Sequence, residues 1–237
     1  DIICDIAKQY GLFVIEDAAQ ALSSTYKGKQ AGSFGDLSCF SFHETKNIVA
    51  GEGGCLTINN PLLIERAEII REKGTNRKRF FRGQVDKYTW MDIGSSYIPG
   101  ELIAAFLYGQ LVNIDSIQSK RMGYWDIYHR GLSYLESKHI QRPIVPNNVG
   151  HNAHMYYLLL SESNTRNDLI RFMKSKLVMT PFHYIPLHSS PAGVKFGRYC
   201  GELSVTNDVS ERLVRLPVYP SLDNDQSIVL SALSEYF

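Results

Sequence analysis

The stretch GLFVIEDAAQ, residues 11–20, decides the fold class. Its apolar run Leu12–Ile15 is short and continuous, which is the pattern of a strand buried on both faces of a sheet. An amphipathic helical pattern over Asp1–Tyr10 precedes it, and Gly11 is a typical helix stop. The order of helix, turn and buried strand is typical of a parallel sheet, so the sequence predicts an α/β fold.

Further strands and a helix are predicted downstream. Strand-like runs cover Leu37–Phe42 and Cys55–Ile58. The glycine-rich stretch Gly51–Gly54 precedes a strand and not a helix, so it matches neither a dinucleotide fingerprint nor a P-loop and is interpreted as a turn. Asn60 and the proline after it predict the start of a helix that runs to Gly74.

The second half of the chain has a different pattern. After a basic and aromatic loop at residues 75–92, a long helix is predicted from Glu101, and a helix of this length usually bridges two lobes. Past Pro143 the predicted elements are short strands around one helix: Met155–Leu160, Arg166–Lys176 and Val178–Thr180. We therefore expect two domains, residues 1–112 and residues 113–237, the second of them a small α+β domain.

Composition and charge exclude several classes of function. The 237 residues include 25 basic and 24 acidic side chains, a net charge of +1, so no global attraction to nucleic acid or to an anionic membrane is expected. No apolar run approaches the ~18 residues of a membrane-spanning helix, and no stretch resembles a signal peptide. The four scattered cysteines form no CxxC pair, which favours free thiols in a reducing cytoplasm. A cytoplasmic protein without a metal is expected.

Three polar groups follow predicted strands, at the edge where open α/β sheets bind ligands. Asp17 ends the first strand, Ser41 ends the second, and Lys46 lies five residues further on. A carboxylate there could pair with a protonated pyridine nitrogen, a lysine could bind a cofactor covalently and act as a base, and a serine could donate to a phosphate. From spacing alone a second interpretation stays open: Asp17 caps a helix or is a surface-loop residue, and Lys46 is a solvated loop residue.

Longer motifs resemble the DegT/DnrJ/StrS family of aminotransferases. In the first half these are IEDAAQ (15–20), YKGK (26–29), CFSFHETKN (39–47), GEGG (51–54), REKGTNR (71–77) and the segment 80–97. In the second half they are FHYIPLH (182–188) and RLP (215–217). The resemblance covers nearly the whole chain. It implies a fold-type-I pyridoxal-phosphate enzyme, with a three-layer α/β/α large domain and a small α+β C-terminal domain.

The resemblance also implies roles for individual residues. Lys46 matches the catalytic lysine that holds pyridoxal 5′-phosphate, and Asp17 matches the partner of its ring nitrogen. Gln20 matches a residue near the ring hydroxyl, Ser41 matches a phosphate ligand, and His43 has a supporting role. Tyr184 and His188 are expected to bind the sugar substrate.

The activity implied is transamination of a nucleotide-linked 4-keto-6-deoxy sugar. The expected substrate is dTDP-4-keto-6-deoxyglucose, the expected amino donor is glutamate, and the pathway is synthesis of lipopolysaccharide and enterobacterial common antigen. A homodimer is implied as well. Family dehydratases carry histidine in place of the lysine, so Lys46 favours transamination. A second function class stays open, a non-catalytic relative that serves as a binding or regulatory protein.

The sequence departs from the family pattern in two ways. Ser96-Tyr97-Ile98 stands where the family commonly has an Asn-Tyr-Arg run, whose asparagine reaches the cofactor phosphate of the neighbouring subunit. The family's opening segment, with several strands and a helix N-terminus for the phosphate, has no counterpart here. We therefore expect an N-terminally incomplete large domain and a chain that is inactive by itself.

Overall fold

The computed structural model describes residues 1–162 and 165–237, apart from the side chain of Asn224. Its strands are β1 (Ile15–Asp17), β2 (Thr25–Tyr26), β3 (Lys29–Gln30), β4 (Leu37–Ser41), β5 (Gly54–Ile58), β6 (Ile140–Gln141), β7 (Val149–Gly150), β8 (Tyr156–Leu160) and β9 (Leu213–Leu216). Its α-helices are α1 (Ile2–Tyr10), α2 (Ile64–Arg71), α3 (Arg77–Phe81), α4 (Glu101–Leu111), α5 (Ile114–Gly131), α6 (Arg166–Ser175), α7 (Pro191–Phe196), α8 (Ser204–Arg212) and α9 (Gln226–Tyr236).

The chain forms two compact units. The first comprises Asp1–Asp115 with Asn148–His151, and the second comprises Ser116–Asn147 with Asn152–Phe237. The predicted boundary between residues 112 and 113 lies close to residue 115, after which the chain first passes from the first unit to the second. The short segment at 148–151 was not anticipated as part of the first unit.

The main sheet of the first unit has the strand order β1-β4-β5. β1 pairs in parallel with β4, and β4 pairs antiparallel with β5. The antiparallel pair forms because the connection between β4 and β5 contains no helix, whereas a parallel crossover usually requires one. The parallel pairing expected of an α/β fold is therefore present between β1 and β4, whereas β5 is antiparallel to β4.

The first strand is shorter and more exposed than predicted. It begins at Ile15 and not at Leu12, and Phe13 and Ile15 are 70% and 65% exposed, so the prediction of a strand buried on both faces is wrong. Val14 is nonetheless fixed, because its N–H donates to Asp36 Oδ2 at 2.9 Å and its carbonyl accepts from the Asp36 N–H at 2.8 Å. The carboxylate of Asp36 thus takes the place of a neighbouring strand, and these hydrogen bonds lower its pKa.

A second sheet of the first unit has the order β3-β2-β7. β2 and β3 form a two-residue hairpin through Lys27 and Gly28, whose φ values of 51° and 77° match a type I′ turn. β7 pairs antiparallel with β2, and the Lys27 N–H donates to the Asn148 carbonyl at 2.7 Å. A late stretch of sequence therefore completes a sheet that is built early in the chain.

The predicted helix from Asn60 forms, but it is shorter. Asn60 caps a 3-10 turn by accepting from the Leu62 N–H at 3.1 Å, and α2 then ends at Arg71, three residues before Gly74. The basic stretch after it is not entirely loop as predicted, because it contains α3. Its arginines are paired with acidic residues of α2: Arg79 with Glu65 at 3.0 Å, and Arg82 with Glu68. These ion pairs link α2 to α3.

The second unit contains the principal hydrophobic core. Its sheet has the order β6-β8-β9, with both pairs antiparallel. β8 confirms the strand predicted at 155–160, and its residues Tyr156, Leu158 and Leu160 are fully buried. They pack in one cluster with large side chains of α5, α6 and α9: Tyr128, Leu169, Met173 and Leu233.

Two predictions for the second half are wrong. The long helix from Glu101 is divided into α4 and α5, because the Asn113 side chain donates to the Gly109 carbonyl at 2.8 Å and competes with the backbone. The stretch predicted as a strand at Val178–Thr180 is irregular. The Val178 N–H instead donates back to the Met173 carbonyl after Leu177 adopts a φ of 61°, which is a helix-terminating arrangement.

A membrane-spanning helix is not found within residues 1–162 and 165–237, where no helix has the required length and apolar character.

Candidate active site

The carboxyl ends of β1 and β4 bring Asp17 and Ser41 to one edge of the main sheet. Asp17 is opposite Cys39 in the parallel register, and Ser41 lies two residues beyond Cys39. Because side chains alternate along a strand, Asp17, Cys39 and Ser41 project from the same face. The sequence therefore placed these two polar groups correctly, at the carboxyl ends of neighbouring strands.

The Asp17 carboxylate is exposed and only lightly engaged. Its Oδ1 accepts from the Ala19 N–H at 3.2 Å, and the Ala18 N–H continues the strand ladder by donating to the Cys39 carbonyl at 3.0 Å. Asp17 thus caps the turn that follows β1 and not a helix. It uses one oxygen, and the carboxylate remains accessible on the sheet face.

The opposite face of the same strand is closed by Glu16, a residue to which the sequence assigned no role. Its carboxylate accepts three backbone N–H groups of one loop, from Gly32 at 2.8 Å, Phe34 at 2.6 Å and Gly35 at 2.8 Å. The loop is also held by Thr57, whose hydroxyl donates to the Gly32 carbonyl at 3.0 Å. Two features of the sequence could have indicated this contact: an acidic residue next to Asp17, and a later Gly-x-x-Gly loop whose backbone N–H groups it could bind.

The other face of the sheet is open. Leu56 is 46% exposed, and Cys39 beside it is exposed too, whereas Ser38 on the loop-covered face is completely buried. The two faces of the sheet therefore differ. One face is covered by the loop at 32–35, and the other presents the Asp17 carboxylate, the Cys39 thiol and the apolar side chain of Leu56. A flat aromatic ligand could lie against the second face.

Lys46 lies on the loop that leaves this edge. The loop is fastened on both sides, since the Phe42 N–H donates to the Gly53 carbonyl at 2.9 Å and the Ala50 N–H donates to the Phe42 carbonyl at 2.7 Å. Buried Phe42 and Ile48 anchor it further. Lys46 itself is half-buried, and within the described part of the chain no carboxylate lies within ion-pairing distance of its Nζ. An amine in a fixed loop without a counter-ion is suited to bind a ligand.

Gln20 and His43 lie close in sequence to these groups. The Ala21 N–H donates to the Ala18 carbonyl at 2.9 Å, which forms a turn that carries exposed Gln20 directly after β1. The Nδ1 atom of His43 accepts from the Thr45 N–H at 3.2 Å and thereby shapes the loop before Lys46. The supporting role expected of His43 toward the cofactor stays a prediction.

Tyr184 and His188 belong to the second unit. The Tyr184 ring is exposed and lies edge-on to His183, with ring centroids 4.9 Å apart. His188 is half-buried, and its Nε2 lies 2.9 Å from Asn207 Oδ1. Their expected role toward the sugar stays a prediction.

The imidazole of His183 has a pKa below its ordinary value, first because burial disfavours the charged form and second because Arg215 repels it. An unfolded histidine titrates near a pKa of about 6.5. As the pH falls, the unfolded state therefore gains this proton at a higher pH than the folded state does. The stability that neutral His183 contributes is thus present above the unfolded pKa and is lost as the pH falls below it.

We expect His183→Gln to reduce the loss of thermal stability between about pH 7 and pH 5, because the glutamine has no proton to gain. The measurement is the melting temperature across this range, with His139→Gln, an exposed position, as the control. The His139 variant should keep the wild-type slope, and an unchanged slope in the His183 variant would contradict the role of His183 in the pH dependence.

The residues at this edge fit pyridoxal phosphate by their chemistry. Asp17 is an acid that can hold a proton on a ring nitrogen, Ser41 offers a hydroxyl, and Lys46 offers an amine. The open sheet face could accept a planar ring.

The model of the DegT/DnrJ/EryC1/StrS aminotransferase family matches residues 1–234, and the chain belongs to this family. The family resemblance deduced from the motifs is thereby confirmed. Aminotransferases of this family depend on pyridoxal phosphate, so the predicted cofactor is confirmed as well.

Individual relatives support the same grouping. The chain is 35% identical to the uncharacterized protein MJ1066 of Methanocaldococcus jannaschii, over 96% of this chain and 60% of that protein. It is 32% identical to GDP-perosamine synthase of Escherichia coli O157:H7, over 99% of this chain and 61% of that protein. The chain therefore spans about 60% of the length of these curated relatives.

A solved structure shows the same architecture. The structure of DesV from S. venezuelae matches with a TM-score of 0.84 and 27% identity, over 99% of this chain and 60% of that chain. The expected fold-type-I aminotransferase architecture is confirmed at the level of the family.

Proposed function

We propose that the protein carrying this chain is an aminotransferase that acts on a nucleotide-linked keto sugar, with Lys46 as the residue that holds pyridoxal phosphate. The observation that carries the proposal is the half-buried amine of Lys46, on a fastened loop that follows the same sheet edge as Asp17 and Ser41; none of the described carboxylates forms an ion pair with this amine. Family membership supports it.

Each residue has a task that follows from its chemistry. Bound pyridoxal phosphate supplies an electron sink when the amino donor loses its α-proton. The Asp17 carboxylate keeps the ring nitrogen protonated, because a negative charge beside it favours the charged form. The Lys46 amine would hold the cofactor and would accept and return the proton. Ser41 would donate a hydrogen bond to the phosphate, and Gln20 would interact with the ring hydroxyl.

The substrate that we propose is dTDP-4-keto-6-deoxyglucose, with glutamate as the amino donor. The product would be dTDP-4-amino-4,6-dideoxygalactose, a precursor for cell-surface polysaccharide. Relatives named for nucleotide sugars support this class, among them a dTDP-4-dehydro-2,3,6-trideoxy-D-glucose 4-aminotransferase of Saccharopolyspora spinosa that is 29% identical. Tyr184 and His188 are proposed to contact the sugar.

We also propose a homodimer. The observation in its favour is the apolar exposure along α4, where Leu102 and Phe106 present large side chains to solvent. Contiguous exposed apolar residues of this kind are typical of association surfaces.

The proposal is tested by locating the cofactor. The protein is incubated with pyridoxal phosphate, reduced with borohydride and digested, and the pyridoxyl group is located by mass spectrometry. We expect the adduct on Lys46 and a visible absorbance band that reduction abolishes. An adduct on a different lysine would overturn the assignment, and a protein that forms none would be the binding or regulatory relative that is the alternative.

A further inference from the structure

The turn that carries Lys46 begins at His43. The Lys46 N–H donates to the His43 carbonyl at 2.9 Å, which closes a four-residue β-turn between these two residues. The Glu44 N–H donates to the Gly51 carbonyl at 3.0 Å and ties the turn to the returning side of the loop. Lys46 therefore leaves the turn at a point that the backbone of His43 fixes.

The imidazole of His43 binds the same turn from the side. Its Nδ1 accepts from the Thr45 N–H at 3.2 Å and lies 3.0 Å from the Thr45 hydroxyl. A side chain that accepts from the backbone N–H two residues further on is the arrangement of an Asx turn, made here by a histidine. The imidazole thus holds the residue that directly precedes Lys46.

The contacts of the ring define its tautomer. Because Nδ1 accepts, the hydrogen of the neutral imidazole is on Nε2. Nε2 lies 3.8 Å from Glu52 Oε1, and a carboxylate there favours a hydrogen on that nitrogen. The Glu52 side chain is exposed, so solvent screens this pairing. The hydrogen bond with Thr45, rather than the pairing with Glu52, is therefore the contact through which the ring acts on the turn.

His43 also contacts Ser41, on the other side of the turn. The His43 N–H donates to Ser41 Oγ at 3.3 Å. A hydroxyl oxygen that accepts this hydrogen bond keeps its own O–H to donate, which is the direction that a phosphate requires. One residue therefore contacts both Ser41 and the backbone of Lys46, two of the groups proposed to bind the cofactor.

We propose that His43 is a positioning residue for Lys46, whose turn it holds in the form in which the Lys46 amine can condense with the aldehyde of the cofactor. In that step the neutral amine loses both hydrogens and forms a double bond to the aldehyde carbon, and the aldehyde oxygen leaves as water. His43 does not touch the reacting atoms, and it acts by restricting the loop. The effect on the cofactor rests on the proposed function, whereas the effect on the turn does not.

The test compares His43→Leu, which removes the acceptor, with His43→Asn, whose Oδ1 can take the place of Nδ1. The protein that carries this chain is incubated with pyridoxal phosphate for timed intervals and reduced with borohydride, and the pyridoxyl group on Lys46 is measured by mass spectrometry. We expect adduct formation to be about fivefold slower in His43→Leu, as the loss of one hydrogen bond implies, and within about twofold of the wild-type rate in His43→Asn. His139→Leu, at an exposed position of the second unit, is the control and should keep the wild-type rate.

Amide hydrogen exchange without cofactor separates this proposal from the cofactor assignment. The Thr45 amide should exchange about fivefold faster in His43→Leu and close to the wild-type rate in His43→Asn. A wild type that forms no adduct on Lys46 would overturn the cofactor assignment, while the exchange rates would still report the contact of His43 with the turn.

The proposal itself is overturned by a wild type that forms the adduct together with an unchanged rate in His43→Leu, or by a His43→Asn variant that is as slow as His43→Leu. Rescue by asparagine distinguishes a hydrogen-bond acceptor that positions Lys46 from a ring that only fills space. If His43→Leu does not fold, His43→Gln takes its place, because its oxygen lies one bond further from the backbone than Nδ1. An unchanged rate of adduct formation in that variant overturns the proposal.

Discussion

Replacing Lys46 by alanine is expected to abolish transamination in the protein that carries this chain, because Lys46 is the residue proposed to supply the amine for the cofactor and for proton transfer. The loss should exceed about 10³-fold in kcat, which corresponds to removal of a covalent and general-base residue together. Single-turnover kinetics with the amino donor are the direct measurement, since they isolate the proton-transfer step from product release.

Two controls make the Lys46 result specific. Lys8→Ala changes an exposed lysine in the last turn of α1 and should leave turnover unaltered. Adding a small primary amine to Lys46→Ala should restore part of the proton transfer, because a free amine can replace the missing base. A Lys46→Ala protein that retains near-normal single-turnover rates would refute the catalytic role.

Substituting Asp17 by asparagine should slow proton abstraction by about two to four orders of magnitude. A neutral amide no longer keeps a ring nitrogen protonated, so the electron sink is weakened. The amide oxygen can still accept from the Ala19 N–H, as Oδ1 does now, so the turn and the cofactor affinity should be retained. The expected result is therefore a bound cofactor with a slow half-reaction.

The adjacent carboxylate provides a contrasting variant. Glu16→Gln loses the charge that holds the three N–H groups of the loop at 32–35, and it should lower the melting temperature. Its half-reaction, measured at a temperature where it is folded, should stay near the wild-type rate. If the Asp17 variant lost stability and kept its kinetics, the carboxylate would be a turn cap and no more.

Much of the first unit could be predicted from sequence because its signals are local. β4, β5 and the Asn60 cap follow from apolar runs and from a proline after an asparagine. The true start of β1 could not be predicted, because it depends on the Asp36 carboxylate, 22 residues away, which bonds the Val14 N–H. Nothing within Leu12–Ile15 carries that information.

The errors in the second half have the same origin. The apolar steps after Glu101 continue through Val112 and favour one helix, yet the side chain of Asn113 ends α4 by binding the Gly109 carbonyl. An asparagine in a helical pattern is compatible with either outcome. The strand predicted at Val178 failed because the residues there complete the end of α6.

For the candidate site, the spacing of Asp17 and Ser41 predicted a shared edge, and the parallel register of β1 and β4 confirms it. The role of Lys46 came from the family resemblance, since a lysine five residues after a strand has no distinctive pattern by itself. Glu16 was missed because its partners are backbone N–H groups, which no side-chain motif records.

The route of the chain between its two units has a consequence for any attempt to divide the protein. The backbone passes from one unit to the other after residues 115, 147 and 151, so a single cut does not release two independent polypeptides. A piece cut at the predicted boundary, residues 113–237, would carry β7 without the strand with which it pairs, and the remaining piece would keep β2 with one neighbour fewer. Each half would thus expose a strand edge that is satisfied in the intact chain. To separate the units, residues 148–151 would have to be fused to the first unit through a linker. A second short linker would have to join residues 147 and 152 in the second unit.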